Sequence, residues 1–312
     1  MRLVTSCLSL ICLSSAACAQ LPKPAGAIDY SPMRVLGKID DPRINESSGL
    51  AASIRNPGLF WTHNDSGDSP RLFLINGQGA VQEEFRVEGA EANDWEDMCS
   101  FELDGEPYLL VGDVGDNPHR REFVSLYLVA EPTYHSGKIN IDTHRLGVTR
   151  RIDFTYAEGP QDCESVAFDP VRREVVIVTK VDPRQRLTGK ARVYVLPLPE
   201  ESTAEPIVVE KAAELDLRIT VAADISPDGR RAVVATYGDA WQYVRESDES
   251  WAAAFVRPGH RIELGPRGQS EAIAFAEDGK TLLLTAEKVG RPLWWVSPVE
   301  DHSTDTTYDT TR

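Results

Sequence analysis

Four glutamates recur at matching places along this chain. They are Glu46 in "ESSGLAAS", Glu96 in "WEDMCSF", Glu164 in "CESVAFD" and Glu271 in "SEAIAFA". A related phrase, "TVAADIS" at 220–226, has the same shape but places Thr220 and Val221 where the others place an acid. Each phrase opens a short apolar run. Carboxylates that converge in a partly dry place either take up protons or share a cation. Oxygen donors without His or Cys suit Ca²⁺ better than zinc. Glu46, Glu96, Glu164 and Glu271 are therefore candidate ligands, and Ca²⁺ the candidate cofactor. The alternative is that each glutamate caps nearby backbone N–H groups and holds strands in register.

A second polar set follows one strand later in each segment: "HNDSGD" from His63, "DVGDN" from Asp113, Lys180, "YGD" from Tyr237, and Glu287-Lys288. Asp, Asn and Gly favour turns for backbone reasons, so each of these alone reads as a surface turn. Taken together they make a mixed rim of acid, base and imidazole. His63, Asp65 or Asp113 is the candidate general base, and Lys180 the group to steady developing negative charge. Asn64, Asp116, Asn117, Tyr237, Asp239 and Glu287 are candidate ligand contacts. His63, Asp65, Asp113, Lys180 and Tyr237 are expected to share one mouth of a channel.

Those residues need a scaffold that brings equivalent positions together. "LFWTHND", "YLLVGDVGD", "EVVIVTK", "RAVVATYGD" and "TLLLTAEK" are short strand-like runs beside turn residues, and no sustained helical period appears. Anchored on Glu46, Glu96, Glu164, Val221 and Glu271, the segments repeat at 50, 68, 57 and 50 residues. A period of this size with several strands per unit is that of propeller blades. In the second segment the four strands are expected at 95–102, 107–112, 124–130 and 145–155. The last segment is one strand short, and the orphan "MRVLGKI" (33–39) is placed beside 293–297 to close the ring. The expectation is one all-β domain over 33–300, a five-bladed propeller with six blades as the rival count. Residues 20–32 read as an extended leader and 301–312 as a disordered tail.

Residues 1–19 read as a secretory signal: Arg2, an apolar run, and Ala17-Cys18-Ala19 before Gln20. Export to the periplasm or the extracellular space follows, with a lipoprotein anchored at Cys18 as the alternative. No later segment reaches the ~18 apolar residues of a spanning helix. The chain has 33 Lys and Arg against 49 Asp and Glu, a formal net charge of −16. That balance excludes nucleic acid and anionic membranes as partners and favours divalent cations. Beyond the signal only Cys99 and Cys163 remain, either bonded or packed as buried thiols. A monomer with a small-molecule or glycan ligand at the channel mouth is expected.

The phrases "ESSGL", "DWEDM" and "CESVAF" resemble secreted bacterial propeller proteins of the SdiA-regulated and esterase-like phytase types, a resemblance that implies a link to calcium. The ring pattern also resembles the calcium-activated apyrases, five-bladed propellers with one central Ca²⁺. That likeness implies Glu46, Glu96, Glu164, Thr220 and Glu271 as the matching positions. The apyrases' basic residues find only Lys180, Lys288 and His63 as counterparts. Three functions follow: a Ca²⁺-dependent hydrolase of a phosphate or carboxylic ester, a non-catalytic module that binds a glycan or a partner protein with structural calcium, and a glycosidase using two ring glutamates. No GxSxG, HExxH or P-loop motif decides among them.

Overall fold

The computed structural model describes residues 23–135, 144–181 and 189–299. Residues 1–19 with Cys18, where a signal was expected, and residues 301–312, where a tail was expected, lie outside the described residues. Among the described residues there are twenty-one strands and one short helix, and no helix is long and apolar enough to cross a membrane. The protein is an all-β, propeller-type structure.

Its strands run as antiparallel meanders. β2 (Ser47–Ala52), β3 (Leu59–Asn64), β4 (Arg71–Asn76) and β5 (Val81–Glu88) form the first series. β6 (Trp95–Leu103), β7 (Glu106–Asp113), β8 (Val124–Ala130) and β9 (His144–Tyr156) form the second. The two series join through a parallel β5/β9 pairing into one nine-stranded sheet, and β13 (Ile207–Val209) adds to the far half of β9. β10 (Cys163–Asp169), β11 (Glu174–Thr179), β12 (Ala191–Pro197) and β14 (Lys211–Leu215) make the next sheet. β15 (Thr220–Ile225), β16 (Arg231–Thr236), β17 (Ala240–Val244) and β18 (His260–Ile262) make another.

In the last sheet, β19 (Ala272–Phe275), β20 (Leu282–Thr285) and β21 (Arg291–Val296) supply three strands. The fourth is β1 (Arg34–Ile39), antiparallel to β21 with Arg34 opposite Trp295 and Ile39 opposite Arg291. An N-terminal strand thus completes the C-terminal sheet and covers an edge that would otherwise be open.

The first strand of each meander lies innermost. β2 packs on β6, β6 on β10, β10 on β15, β15 on β19, and β19 on β2. β2, β10, β15 and β19 are buried along their whole length. With both faces covered they lose the in-out alternation of a half-exposed strand. The outer β14 keeps that alternation toward solvent. Apolar clusters fill the wedges between neighbouring meanders. One holds Phe101, Leu110 and Phe154 of the second series with Val166, Phe168 and Ile177 of the third. Cys99 and Cys163 sit in that same cluster as free, buried thiols.

Hairpin chemistry agrees with the sequence at Asp104-Gly105. Both residues have positive φ (54° and 82°), the requirement of a two-residue type I′ turn. Polar side chains tie the innermost strands together. Ser100 Oγ donates to the Ala52 carbonyl at 2.6 Å. Asp97, fully buried on β6, accepts Val166 N–H and Ala223 N–H at 3.0 Å each and Met98 N–H at 2.9 Å. One carboxylate therefore links β6, β10 and β15. Asp224 continues the chain of ties by accepting Phe275 N–H at 2.7 Å.

A candidate metal centre at one end of the ring

The recurring glutamates lie at the same ends of the innermost strands. Glu46 and Glu271 immediately precede β2 and β19, and Glu96 and Glu164 are the second residues of β6 and β10. Glu96 and Glu164 share a further feature: the antiparallel register slips there. β6 skips from Trp95 to Asp97 against β7, and β10 from Cys163 to Ser165 against β11. Each glutamate is the extra residue of a β-bulge, a device that re-aims a side chain out of the ladder. The same slip occurs in β15 at Val221. There Thr220 Oγ1 donates to the Thr179 carbonyl at 2.9 Å, and no acid is presented.

Asp65 follows β3, with its N–H on the Glu46 carbonyl at 2.8 Å. Its carboxylate belongs to two triads. Asp65, Asp94 and Glu96 form one, and Asp65, Glu271 and Glu287 the other. Within each triad the ligand oxygens lie inside 4.8 Å of one another. Two oxygens on a single Ca²⁺, each 2.3–2.6 Å from the ion, are at most about 5 Å apart, so either triad fits such an ion. Neither triad contains His or Cys, a donor set for a hard cation. Gly115 floors the first triad: its N–H donates to the Asp94 carbonyl at 3.2 Å, and a Cβ there would overlap Glu96 Oε1 and Asp94 Oδ2.

The electrostatics describe a crowd of like charges. Burial, then the charges of Glu164, Asp65 and Asp94, push Glu96 well above the usual carboxylate range. Burial and Asp94, Glu271 and Glu46 raise Asp65 to about 6, against a bond from Ser66 N–H. Burial and the Asp162 charge raise Asp94 to about 6. Burial and a hydrogen bond with Glu271 raise Glu287 to about 8. Lys180 pairs with Glu164, yet burial still holds Glu164 up at about 8. The Lys180 ammonium lies 5.6 Å from the centre of the Tyr237 ring, and Tyr237 Oη donates to Glu271 Oε1 at 2.6 Å. In the absence of a cation such groups take up protons, and a bound cation reverses the preference.

The expected site residues thus divide. Asp65, Glu96, Glu271 and Glu287 stand in the triads, Glu46 beside them, and Lys180, Glu164 and Tyr237 along their border. His63 does not join them. It is fully buried, with its ring against Gly49 and edge-on to Trp95 at 5.4 Å, and Nδ1 on the Asn64 carbonyl at 2.9 Å. Burial lowers it to about 4, so it is a neutral packed ring that does not reach the mouth. Asp113 is buried and already loaded: it accepts Asp94 N–H at 2.9 Å, Asn93 Nδ2 at 2.9 Å and Arg121 Nη1 at 2.9 Å. It positions Asp94 rather than facing a ligand. Asn64 accepts Glu46 N–H at 3.2 Å and donates to Asp68 at 2.6 Å, which positions Glu46. Asp116 accepts the N–H groups of Arg120 and Arg121 and shapes its own loop, with Asn117 exposed beyond it. Asp239 accepts Arg261 Nε at 2.7 Å and Leu264 N–H at 3.2 Å, and it belongs to neither triad.

Asp94 and Asp162 were not anticipated. Their signal is nevertheless in the sequence: Asp94-Trp95-Glu96 and Asp162-Cys163-Glu164 repeat one Asp-x-Glu spacing.

Fold and site define a propeller-type all-β protein with a carboxylate cluster where its innermost strands begin. No family model and no curated protein matches the chain. Among solved structures it is similar to a gluconolactonase from Xanthomonas campestris, at 10% identity and a TM-score of 0.42, with 89% of this chain and 99% of that one covered. It is also similar to a putative oxidoreductase (glucose dehydrogenase) from Thermus thermophilus, at 9% identity and TM-score 0.48, covering 86% and 99%. The WD40 repeats of RRP9 align at 11% identity and TM-score 0.39, covering 81% and 67%. None of these three reaches a TM-score of 0.5, and the functional reading rests on the site's own geometry.

Proposed function

We propose that this protein is an exported, five-bladed β-propeller that binds Ca²⁺ at the carboxylate cluster and hydrolyses a phosphate or carboxylic ester there. The observation that supports it is Asp65 shared by two triads of carboxylate oxygens, each within 4.8 Å. When bound, the cation supplies Lewis-acid polarisation of a substrate oxygen. The chain's own part is to hold the ligands and manage protons. The Asp113–Arg121 pair fixes Asp94, and the bulges aim Glu96 and Glu164. Glu287, held up at about 8 by burial and a hydrogen bond with Glu271, stands next to Asp65, where its proton would be available to a leaving group. Lys180 and Tyr237 form the border on which developing negative charge would rest.

A second reading is a non-catalytic module in which calcium is structural. It is favoured by the state of the expected bases: His63 is enclosed and Asp113 is saturated. The test is turnover by the mature chain of nucleoside di- and triphosphates, phytate and nitrophenyl esters, in millimolar Ca²⁺ and in chelator. Ca²⁺-dependent turnover of any of these supports the hydrolase. Ca²⁺ binding without turnover supports the module.

A further inference from the structure

The cluster occupies the starting ends of the innermost strands. Their finishing ends enclose a separate cavity of about 290 Å³, close to the lower end of the roughly 300–1,000 Å³ typical of small-molecule sites. All the innermost strands contribute to it: Ile54 from beyond β2, Phe101 from β6, Phe168 from β10, Asp224 from β15, and Phe275 from β19 with Glu277 just after it. The buried Asp97 carboxylate and its bonds to Val166 and Ala223 lie between the two ends. The cavity is thus distinct from the carboxylate cluster.

Its walls combine two properties. They are largely apolar, built from Phe101, Phe168, Phe275 and Ile54, and Ile54 is one of the few large aliphatic side chains left exposed, at 36%. The charged groups among them are all acids, Glu102, Asp224 and Glu277, with no Lys, Arg or His. Asp224 is nine-tenths buried. Its two oxygens accept one backbone N–H each, from Ile225 at 2.8 Å and Phe275 at 2.7 Å. A carboxylate has about four lone-pair sites, so each oxygen keeps acceptor capacity toward the cavity. Glu277 sits at the lip, where one oxygen takes Gly58 N–H at 3.0 Å.

We propose that this cavity is a second binding site, for a small organic ammonium ion with an apolar body, an aryl- or alkylamine. The aromatic and aliphatic walls take the body, and Asp224 with the lip acids takes the cationic head. An anion would meet three carboxylates and no counter-charge. A neutral isostere would fill the walls but leave the head unpaired. Burial holds Asp224 up at about 7, the state of a carboxylate that lacks a counter-ion.

The experiment is calorimetric titration of the full mature chain, with Ca²⁺ present, using phenethylammonium chloride as probe. 2-Phenylethanol and phenylacetate are the neutral and anionic controls. The expected result is one phenethylammonium bound per chain, about tenfold or more tighter than either control, the worth of one paired charge. Ile54→Arg places a positive charge at the lip on an exposed side chain and should abolish that binding with an unchanged melting temperature. Glu277→Gln should weaken it severalfold. Equal affinity for the amine and the alcohol overturns the proposal. So does the absence of saturable amine binding, or amine binding that Ile54→Arg leaves intact.

Discussion

Glu96→Gln separates a ligand of a cation from a glutamate that merely holds strands in register. The substitution keeps the shape and removes the charge. Glu96 is buried, and burial with three neighbouring carboxylates raises it well above the usual range. Without metal, burial and the like charges around it favour its protonated, neutral form, and a neutral amide in its place changes little. The metal-free melting temperature should stay the same or rise slightly, because one source of like-charge repulsion is gone. With metal the sign inverts. An ion that binds only the folded chain stabilises it by about 2.7 kcal/mol at a hundredfold excess over its dissociation constant. At roughly 2–4 °C per kcal/mol for a chain somewhat shorter than this one, the wild type should melt about 5 °C higher in Ca²⁺ than in chelator. Glu96→Gln should lose most of that increment. The assay is a set of four scanning-calorimetry traces, wild type and variant, each in excess chelator or in a roughly hundredfold excess of Ca²⁺ over its dissociation constant. Equal losses for the variant in both conditions would show a register role. A wild type that melts identically in both would remove the cation altogether.

Three further outcomes follow from the same geometry. Asp65 and Asp94 lie at about 6, and Glu164 and Glu287 at about 8, all raised, so the stability they lend is full below the ordinary carboxylate pKa of ~4 and is lost as pH rises through 6 to 8. Melting in chelator should fall as pH rises through that window, while Ca²⁺ affinity measured by titration rises over the same window as protons leave the ligands. Gly115→Ala puts a methyl group against Glu96 and Asp94 and should weaken Ca²⁺ binding at least tenfold while the chain stays folded, as read by circular dichroism. Asp97→Ala strands three backbone N–H groups at about 1–3 kcal/mol each, and should unfold the protein or lower its denaturation midpoint severely. Asp97→Asn keeps an acceptor and should cost markedly less.

Much of the scaffold was legible because repetition is visible in a single sequence. In the second series the expected strands 95–102, 107–112, 124–130 and 145–155 meet observed strands that differ by no more than one residue at either end. The missing strand of the last sheet could be placed by counting, and β1 does pair with β21. The rim was harder. Spacing places His63, Asp113 and Tyr237 at equivalent chain positions, but a strand sends successive side chains to opposite faces. His63 went into the wedge beside Trp95, Asp113 turned back onto the 93–94 loop, and Tyr237 reached Glu271. One residue of phase decides between a ligand contact and a packed ring, and a turn of irregular length hides that phase. The bulges were equally invisible, because a register slip is a relation between two strands rather than a property of either.

The bulges explain why the acids converge at all. A regular strand would leave Glu96 and Glu164 in the ladder, alternating between the wedge on one side and the wedge on the other. One extra residue at the start of the strand swings the side chain out of that alternation, and the slip recurs at Trp95/Asp97, Cys163/Ser165 and Thr220/Ala222. The backbone device is thus independent of the chemistry it carries, since at Val221 it presents an apolar side chain. That exception gives the cluster a direction. Acids border it from the β2, β6, β10 and β19 sides, whereas on the β15 side stand Val221, the Tyr237 hydroxyl and the Lys180 ammonium over its ring. An anionic ligand approaching a cation held by Asp65, Asp94 and Glu96 would meet like charge on every side but that one. Under the proposed hydrolysis, Lys180 and Tyr237 would stand on the side of approach, with a ligand's negative end between them and Asp65.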